Sequence, residues 1–283
     1  MSAGVFDTRS NELGEGPLWH PRLEQLFWFD ILGKRLFTKP GETRQEWLFD
    51  RYVSAAGWVD DHVLLMASET DLFCFDITTG AQDHLVPLDA ENAATRSNDG
   101  RADPHGGFWI GTMGKQAEPE AGAIYRYYRG ELRRLYDRIT IPNAICFAPG
   151  GAHAYFTDTA ERIVWRQVLD GQGWPVGTPE IYLDHRETGR NPDGAVVDRD
   201  GRFVCAEWGS WRVAVYDPSG RFLEEIPLPV EQVSCPAFGG GRLHITTARE
   251  GFSADQRAAH PQAGMTFVTD TDLVGQDEAR VIL

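Results

Sequence analysis

Short apolar or alternating runs of strand type recur along the chain at Gln25–Ile31, His62–Ala67, Gly107–Met113, Ala152–Thr159, Arg202–Trp208 and Arg242–Thr247. They stand a few tens of residues apart, the range over which propeller blades repeat. Most are followed by a second run ending in a turn signal, as at Leu72–Gly80, Ile124–Gly130, Ile163–Gly171 and Val213–Gly220, with Leu36–Gly41 a weaker instance. Alternation of apolar and polar residues predicts half-buried antiparallel strands there, and the terminal Asp and Gly suit tight hairpins. No long segment keeps a 3.6-residue apolar spacing. One short helix is predicted over Ser253–His260, with Ser253 as its N-cap.

About six units of about four short strands each predict an all-β fold, a six-bladed β-propeller with four-stranded antiparallel blades, which leaves few sheet edges exposed. No linker or change of composition divides the chain, so one domain is expected over residues 1–283. The first unit is incomplete in this reading, and a C-terminal strand around Met265–Asp270 is expected to complete it and close the ring. In such a ring the segments entering the innermost strands converge on a central channel. Polar residues just before the apolar runs are therefore the candidates for a shared site.

The stretch Arg96–Met113, RSNDGRADPHGGFWIGTM, carries this logic most clearly. It reads as a polar loop, with turn signals at Asp99-Gly100 and Asp103-Pro104, pinned by the buried strand behind it. Glu15 sits in LGEGPLW, Asn143 in TIPNAICF and Asp193 in RNPDGAVVD, each ahead of the apolar run of a different unit. Each has an ordinary reading as well: a solvated loop acid, an asparagine bonding its own backbone, an aspartate in a Pro-Asp-Gly turn. Together they offer three oxygen donors, a set that suits a hard or borderline divalent cation, and two carboxylates nearly cancel its charge. Arg96 and Asn98 add a cation and an amide suited to fixing hydroxyls or a developing oxyanion. The eight histidines form no HxH or HxxxH pair, and neither GxSxG nor a glycine-rich phosphate loop occurs. Zinc-finger, serine-hydrolase and nucleotide-binding readings are set aside on those grounds.

Charge narrows the partners. With 27 Lys and Arg against 42 Asp and Glu, the net charge is −15, and no basic cluster exists to neutralise phosphates. Nucleic acid is not an expected partner. No apolar run approaches 18 residues, so no membrane partner is expected either. The four cysteines, Cys74, Cys146, Cys205 and Cys235, lie in or beside apolar segments without CxxC spacing, and buried free thiols are expected. With no basic and apolar leader at the N-terminus, a cytoplasmic location follows as the expectation.

GEGPLW around Glu15, RSNDGRADPHGGFWIGTM from Arg96, IPNAICF around Asn143, NPDGAVVD around Asp193, CPAFGG from Cys235 and TTAREG from Thr246 resemble, in order, the motifs of the senescence marker protein/gluconolactonase/regucalcin family of six-bladed β-propellers. The resemblance implies one divalent metal ion at the top of the channel, held by Glu15, Asn143 and Asp193. Ca²⁺ is the first expectation, and Zn²⁺, Mn²⁺, Mg²⁺ and Fe²⁺ are the other candidates. It places substrate contacts on Arg96 and Asn98. Some relatives use a glutamate shortly after GTM for the sugar, where this chain has Gln116, with Glu118 and Glu120 slightly later. The implied activity is hydrolysis of an aldonolactone of the glucono-, xylono- or arabinono-lactone type, with a small sugar lactone as partner and Asp193 as general base. Alternatives are a promiscuous metal-dependent esterase of phosphotriesterase type and a non-catalytic calcium-binding protein. Trp19, Trp208 and Trp211 offer flat walls for a sugar face, or else serve as core.

Overall fold

The computed structural model describes residues 3–283. The chain opens with a short strand, β1 (Gly4–Asp7), and then lays down five sheets of four consecutive strands. Blade 1 is β2 (Gly14–His20), β3 (Gln25–Asp30), β4 (Arg35–Thr38) and β5 (Gln45–Leu48). Blade 2 is β6 (Val53–Trp58), β7 (Val63–Ser68), β8 (Asp71–Asp76) and β9 (Gln82–Pro87). Blade 3 is β10 (Thr95–Ala102), β11 (Phe108–Gly114), β12 (Gly122–Tyr128) and β13 (Glu131–Ile139). Blade 4 is β14 (Pro142–Phe147), β15 (His153–Asp158), β16 (Ile163–Val168) and β17 (Glu180–Asp184), and blade 5 is β18 (Asn191–Val197), β19 (Phe203–Trp208), β20 (Arg212–Tyr216) and β21 (Phe222–Pro227). Blade 6 takes β22 (Val233–Gly239), β23 (Arg242–Thr247) and β24 (Thr266–Thr269) from the end of the chain and β1 from its beginning, in the order β1-β24-β23-β22. This is the six-bladed propeller with four-stranded antiparallel blades that the repeat predicts.

Closure differs from the expectation. The first blade is complete in itself, and the blade left short is the last. β1 pairs with β24, Gly4 opposite Val268 and Val5 opposite Phe267, and supplies the outermost strand. The Met265–Asp270 segment is the third strand of that blade. The helix forms where predicted, as α1 (Ala254–Ala259), with Ser253 and Gln256 making a reciprocal capping box.

A second correction concerns which strands face the axis. The apolar runs that mark the repeat are the second strand of each blade (β3, β7, β11, β15, β19, β23), and the polar stretches ahead of them are themselves the innermost strands. Second strands are covered by neighbouring blades on both faces, so they read as continuous apolar runs. Inner strands carry Gly, Pro, Asp and Asn around a channel and read as loops. The Arg96–Met113 stretch is accordingly a hairpin of β10 and β11.

One apolar cluster fills each of the six blade interfaces. Phe27, Phe29, Phe73 and Phe75 join blades 1 and 2. Phe108 and Ile110 pack against blade 2, while Trp109, Ile145 and Phe156 join blades 3 and 4. Val213, Val215, Ile245 and Phe267 join blades 5 and 6. Leu26, Trp28 and Ala237 close the ring between blades 6 and 1. Each such side chain contributes roughly 1.5–3 kcal/mol on burial.

Beyond β24 the chain crosses the end of the channel where the inner strands finish. Arg199 N–H donates to Val274 O at 2.8 Å, and Gln276 Nε2 donates to Phe147 O at 3.0 Å and Val197 O at 2.8 Å. Arg101 Nη1 meets both oxygens of Glu278 at 3.1 and 3.2 Å, and Trp58 Nε1 donates to Glu278 O at 2.9 Å. Val281 is fully buried. This strap touches the undersides of blades 2 to 6, so the opposite end is where the channel opens.

Candidate active site

Every innermost strand breaks register against its second strand at one corresponding place: between Glu15 and Leu18, Val53 and Ala55, Ser97 and Gly100, Asn143 and Cys146, Pro192 and Ala195, and Val233 and Cys235. A β-bulge bends the strand and re-aims a side chain. Here it does so six times around one axis. The residues at or beside the breaks are Glu15, Ser54, Asn98 with Asp99, Asn143, Asp193 and Ser234. Ser54 Oγ bonds within the ring, donating to Asn98 O at 2.6 Å and lying 2.7 Å from Ser97 Oγ, and Ser234 Oγ donates to Gly14 O at 2.5 Å. Glu15, Asn98, Asn143 and Asp193 instead line a cavity of about 320 Å³, together with Arg96 and Gln116.

The local sequence makes these bends. Gly16 has φ +54°, and a Cβ there would stand 2.2 Å from Ser54 O, so glycine is required beside Glu15. Ala144, next to Asn143, holds φ +56°, a left-handed conformation costly for a residue with a Cβ. The approaches to Glu15 and Asn143 are braced from the second strand. Asp30 accepts from Glu12 N and Leu13 N, both at 3.1 Å. Asp158 accepts from Thr140 N at 2.7 Å and Ile141 N at 3.0 Å.

Glu15, Asp99 and Asp193 are all buried. None pairs with a Lys or Arg within 4.0 Å among the described residues. Burial, then the charge of Asp99, pushes the Glu15 carboxyl up to about 8. Burial followed by the charges of Glu15 and Asp99 raises Asp193 well above the carboxylate range. Asp99 itself is raised to about 6 by burial, against the N–H of Ile145, which it accepts at 2.7 Å. Burial also holds Arg96 below its ordinary value, although Glu250 and Glu15 lie within electrostatic reach. Left to themselves, these carboxyls hold their protons to higher pH than ordinary ones do. A cation between them would reverse that preference.

The polar groups are linked in one direction around the rim. Arg96 Nη1 donates to Asn98 Oδ1 at 2.8 Å, and Asn98 Nδ2 donates to Asn143 Oδ1 at 2.9 Å and Pro142 O at 3.0 Å. Asn143 Nδ2 donates to Thr159 Oγ1 at 2.9 Å, and Thr159 Oγ1 donates to Pro192 O at 2.7 Å. Asn98 thus has both amide protons engaged and keeps one oxygen lone pair. Arg96 keeps N–H groups beyond those it gives to Asn98 and Ser97.

All the residues singled out in the sequence as ligands or substrate contacts line this one cavity. In the loop after β11, Gln116 lines it. Glu118 turns back to accept from Gln116 N at 3.0 Å, and Glu120 pairs with Arg138. Of the three tryptophans only Trp208 is in the wall. Trp19 stacks on His244 and covers Gly239 toward the strap end, and Trp211 lies edge-on to His260. Sequence reasoning missed Asp99, Thr159, Lys115 and Glu250 as members of the site. The last three sit in turns leaving second strands, which reach the same end of the channel as the bulges. Applying the repeat to those turns as well would have brought them in.

Among the described residues no three His, Cys, Asp or Glu side chains converge at ligand spacing. A cation would therefore be held by two carboxylates, Glu15 and Asp193, and the amide oxygen of Asn143, with water or substrate completing the shell. That all-oxygen set fits a hard divalent ion.

Residues 13–249 match the family described as the SMP-30/Gluconolactonase/LRE-like region. An L-arabinolactonase of Azospirillum brasilense is 36% identical over 286 residues, covering 98% of this chain and 94% of the relative. A 6-deoxy-6-sulfogluconolactonase of Pseudomonas putida is 32% identical over 275 residues, covering 93% and 92%. The crystal structure of regucalcin, a calcium-binding protein of Agrobacterium tumefaciens, superposes with a TM-score of 0.97 at 36% identity, over 100% of this chain and 98% of that one.

Proposed function

Because the chain belongs to the SMP-30/gluconolactonase/LRE-like family, we propose that it is a divalent-metal-dependent lactonase that hydrolyses an aldonolactone to the aldonic acid. The observation that carries this reading is the pair of buried carboxylates, Glu15 and Asp193, left without a cationic partner in a cavity that also presents Arg96, Asn98 and Gln116. The whole chain acts as one propeller domain. Free thiols at Cys146, Cys205 and Cys235, all buried, suit a reducing cytoplasm.

Glu15, Asn143 and Asp193 hold the ion, and Ca²⁺ suits their oxygens best. Bound there, it supplies Lewis acidity to the lactone carbonyl, worth several kcal/mol at the transition state. Asp193 takes a proton from the attacking water as its oxygen bonds to the carbonyl carbon. The ring C–O bond then breaks, the leaving ring oxygen takes the proton back from Asp193, and the new carboxylic acid releases its own proton to solvent. General-base help of this kind contributes about 10² to 10⁴-fold. The unused N–H groups of Arg96 donate to sugar hydroxyls or the carbonyl, and the free lone pair of Asn98 Oδ1 accepts from a hydroxyl. Gln116, at the mouth, offers both a donor and an acceptor. The side chain of Trp208 provides an apolar wall for one face of the ring.

The test is proton release from a set of pentono- and hexonolactones by metal-stripped protein re-supplied with single divalent ions, beside an aryl ester. Turnover of a lactone that appears only with metal, and is lost in Asp193→Ala together with metal affinity, is the expected result. Lactone turnover untouched by metal removal overturns the metal role. Hydrolysis of the ester alone gives the esterase reading. Tight Ca²⁺ binding without any turnover gives a calcium-binding protein.

A further inference from the structure

The hydrogen-bonded chain around the rim has a donor-only group at one end and an acceptor-only group at the other. The Arg96 guanidinium can only donate, so it meets the oxygen of the Asn98 amide, and the Asn98 nitrogen is left to face Asn143. At the far end the carbonyl of Pro192 can only accept, and it takes the single hydroxyl proton of Thr159 at 2.7 Å. Thr159 therefore has only a lone pair to offer Asn143, whose nitrogen sits 2.9 Å away. Both ends demand the same orientation of the Asn143 amide. Turning it over would set its N–H₂ against the N–H of Asn98 and its oxygen against an oxygen of Thr159.

On the metal-site reading above, we propose that Thr159 is a positioning residue that makes Asn143 an oxygen donor to the cation. An amide can present either end to a cavity, and only the oxygen binds a divalent ion. The Thr159 hydroxyl selects that end together with the Asn98 amide. It also ties blade 4 to blade 5 at Pro192, the residue immediately before Asp193, and so fixes the spacing between two of the three ligands. Thr159 touches neither ion nor reacting atoms in this account, and its effect passes through Asn143. Groups that hold a ligand in this way typically change metal affinity by about 10 to 100-fold when removed.

The experiment is calorimetric titration of the full-length, metal-stripped protein with Ca²⁺ and, separately, Mn²⁺. It uses the natural sequence, Thr159→Val, which keeps the shape and removes the hydroxyl, and Thr159→Ser, which keeps the hydroxyl. Thr159→Val should bind about 10 to 100-fold more weakly, and Thr159→Ser should bind like the natural protein. Thermal unfolding of the metal-free proteins separates this loss from a folding defect. Equal affinity of Thr159→Val and the natural protein overturns the proposal and leaves the metal site standing, as does a Thr159→Ser variant as weak as Thr159→Val. Failure of the natural protein to bind either ion overturns the metal site itself and the proposal with it. A measurement independent of any variant is available in the natural protein. The Asn143 amide proton donated to Thr159 should be protected from exchange with solvent, and a rapidly exchanging one contradicts a locked amide.

Discussion

At the scale of single residues the candidate site is an excess of buried negative charge. Burial and the charge of Asp99 push the Glu15 carboxyl up to about 8 in the folded protein from an ordinary 4.5. An acid whose folded value is raised favours folding below its unfolded value and loses that contribution as pH rises through the folded one. Metal-free protein should therefore become less stable between about pH 4.5 and pH 8, with Asp193 acting in the same direction. Differential scanning calorimetry in the presence of a chelator should show Tm falling across that window, while saturating divalent ion flattens the dependence. Binding the ion requires both carboxylates ionised, so affinity should tighten over the same pH range, with proton release. A pH-independent metal-free Tm would mean that the carboxylates are compensated by something else. These residues were only half legible in the sequence. Glu15, Asn143 and Asp193 stand out by residue type, yet each has an unremarkable local explanation, and it is their equivalent position in the repeat that joins them. Asp99 was read as a turn former because Asp-Gly is a turn signature, whereas its carboxylate reaches across to blade 4.

At the scale of elements the six bulges do the positioning, and their cost explains why the inner strands could not be read as strands. β14 runs Pro142-Asn143-Ala144-Ile145-Cys146-Phe147 with φ +56° at Ala144, a pattern that alternation rules reject. β3 (QLFWFD) and β11 (FWIGTMG), buried on both faces, are unmistakable. Outer strands such as β21 (FLEEIP) are mostly exposed and keep no apolar–polar alternation, so they carry no strand signal. The bulges also crowd the axis. A Cβ at Gly194 would stand 2.3 Å from Cys235 Sγ and 2.9 Å from Cys235 Cα, on the neighbouring inner strand. Gly194→Ala should therefore cost about 1–3 kcal/mol by overpacking and, because Gly194 follows Asp193, weaken metal binding as well. Gly171, where an added Cβ meets nothing within 4 Å, is the control, and its alanine variant should be neutral. Urea unfolding of the two variants, with metal titration of each, checks the contrast. Equal stability of both would mean that blades 5 and 6 can part without loss.

For the whole molecule, the period gave the number of blades and the strands per blade, but not the manner of closure. A repeat count cannot say which terminus completes which sheet, and four-residue β1 is too short to show a pattern. The strap after β24 was likewise invisible, since its residues make scattered contacts with five different blades and have no periodicity of their own. Its strongest contact is the Arg101–Glu278 pair, whose side chains are only 11% and 13% exposed. Burial alone would push Arg101 below its ordinary value, and Glu278 opposite more than reverses this and raises it. Removing one member of such a pair leaves the other charge buried and uncompensated, a loss of about 3 kcal/mol, whereas replacing both by apolar residues of similar size is often nearly neutral. Glu278→Gln should accordingly destabilise the protein by about that amount in urea unfolding. The double variant Arg101→Met with Glu278→Met should recover most of it. Because the pair lies at the closed end of the channel and holds no ligand, Ca²⁺ affinity should be the same in both variants as in the natural protein. If Glu278→Gln leaves stability unchanged, the strap is merely resting against the propeller. If it lowers stability and Ca²⁺ affinity together, then the two ends of the channel are coupled through Arg101 and Asp99, which lie two residues apart on β10.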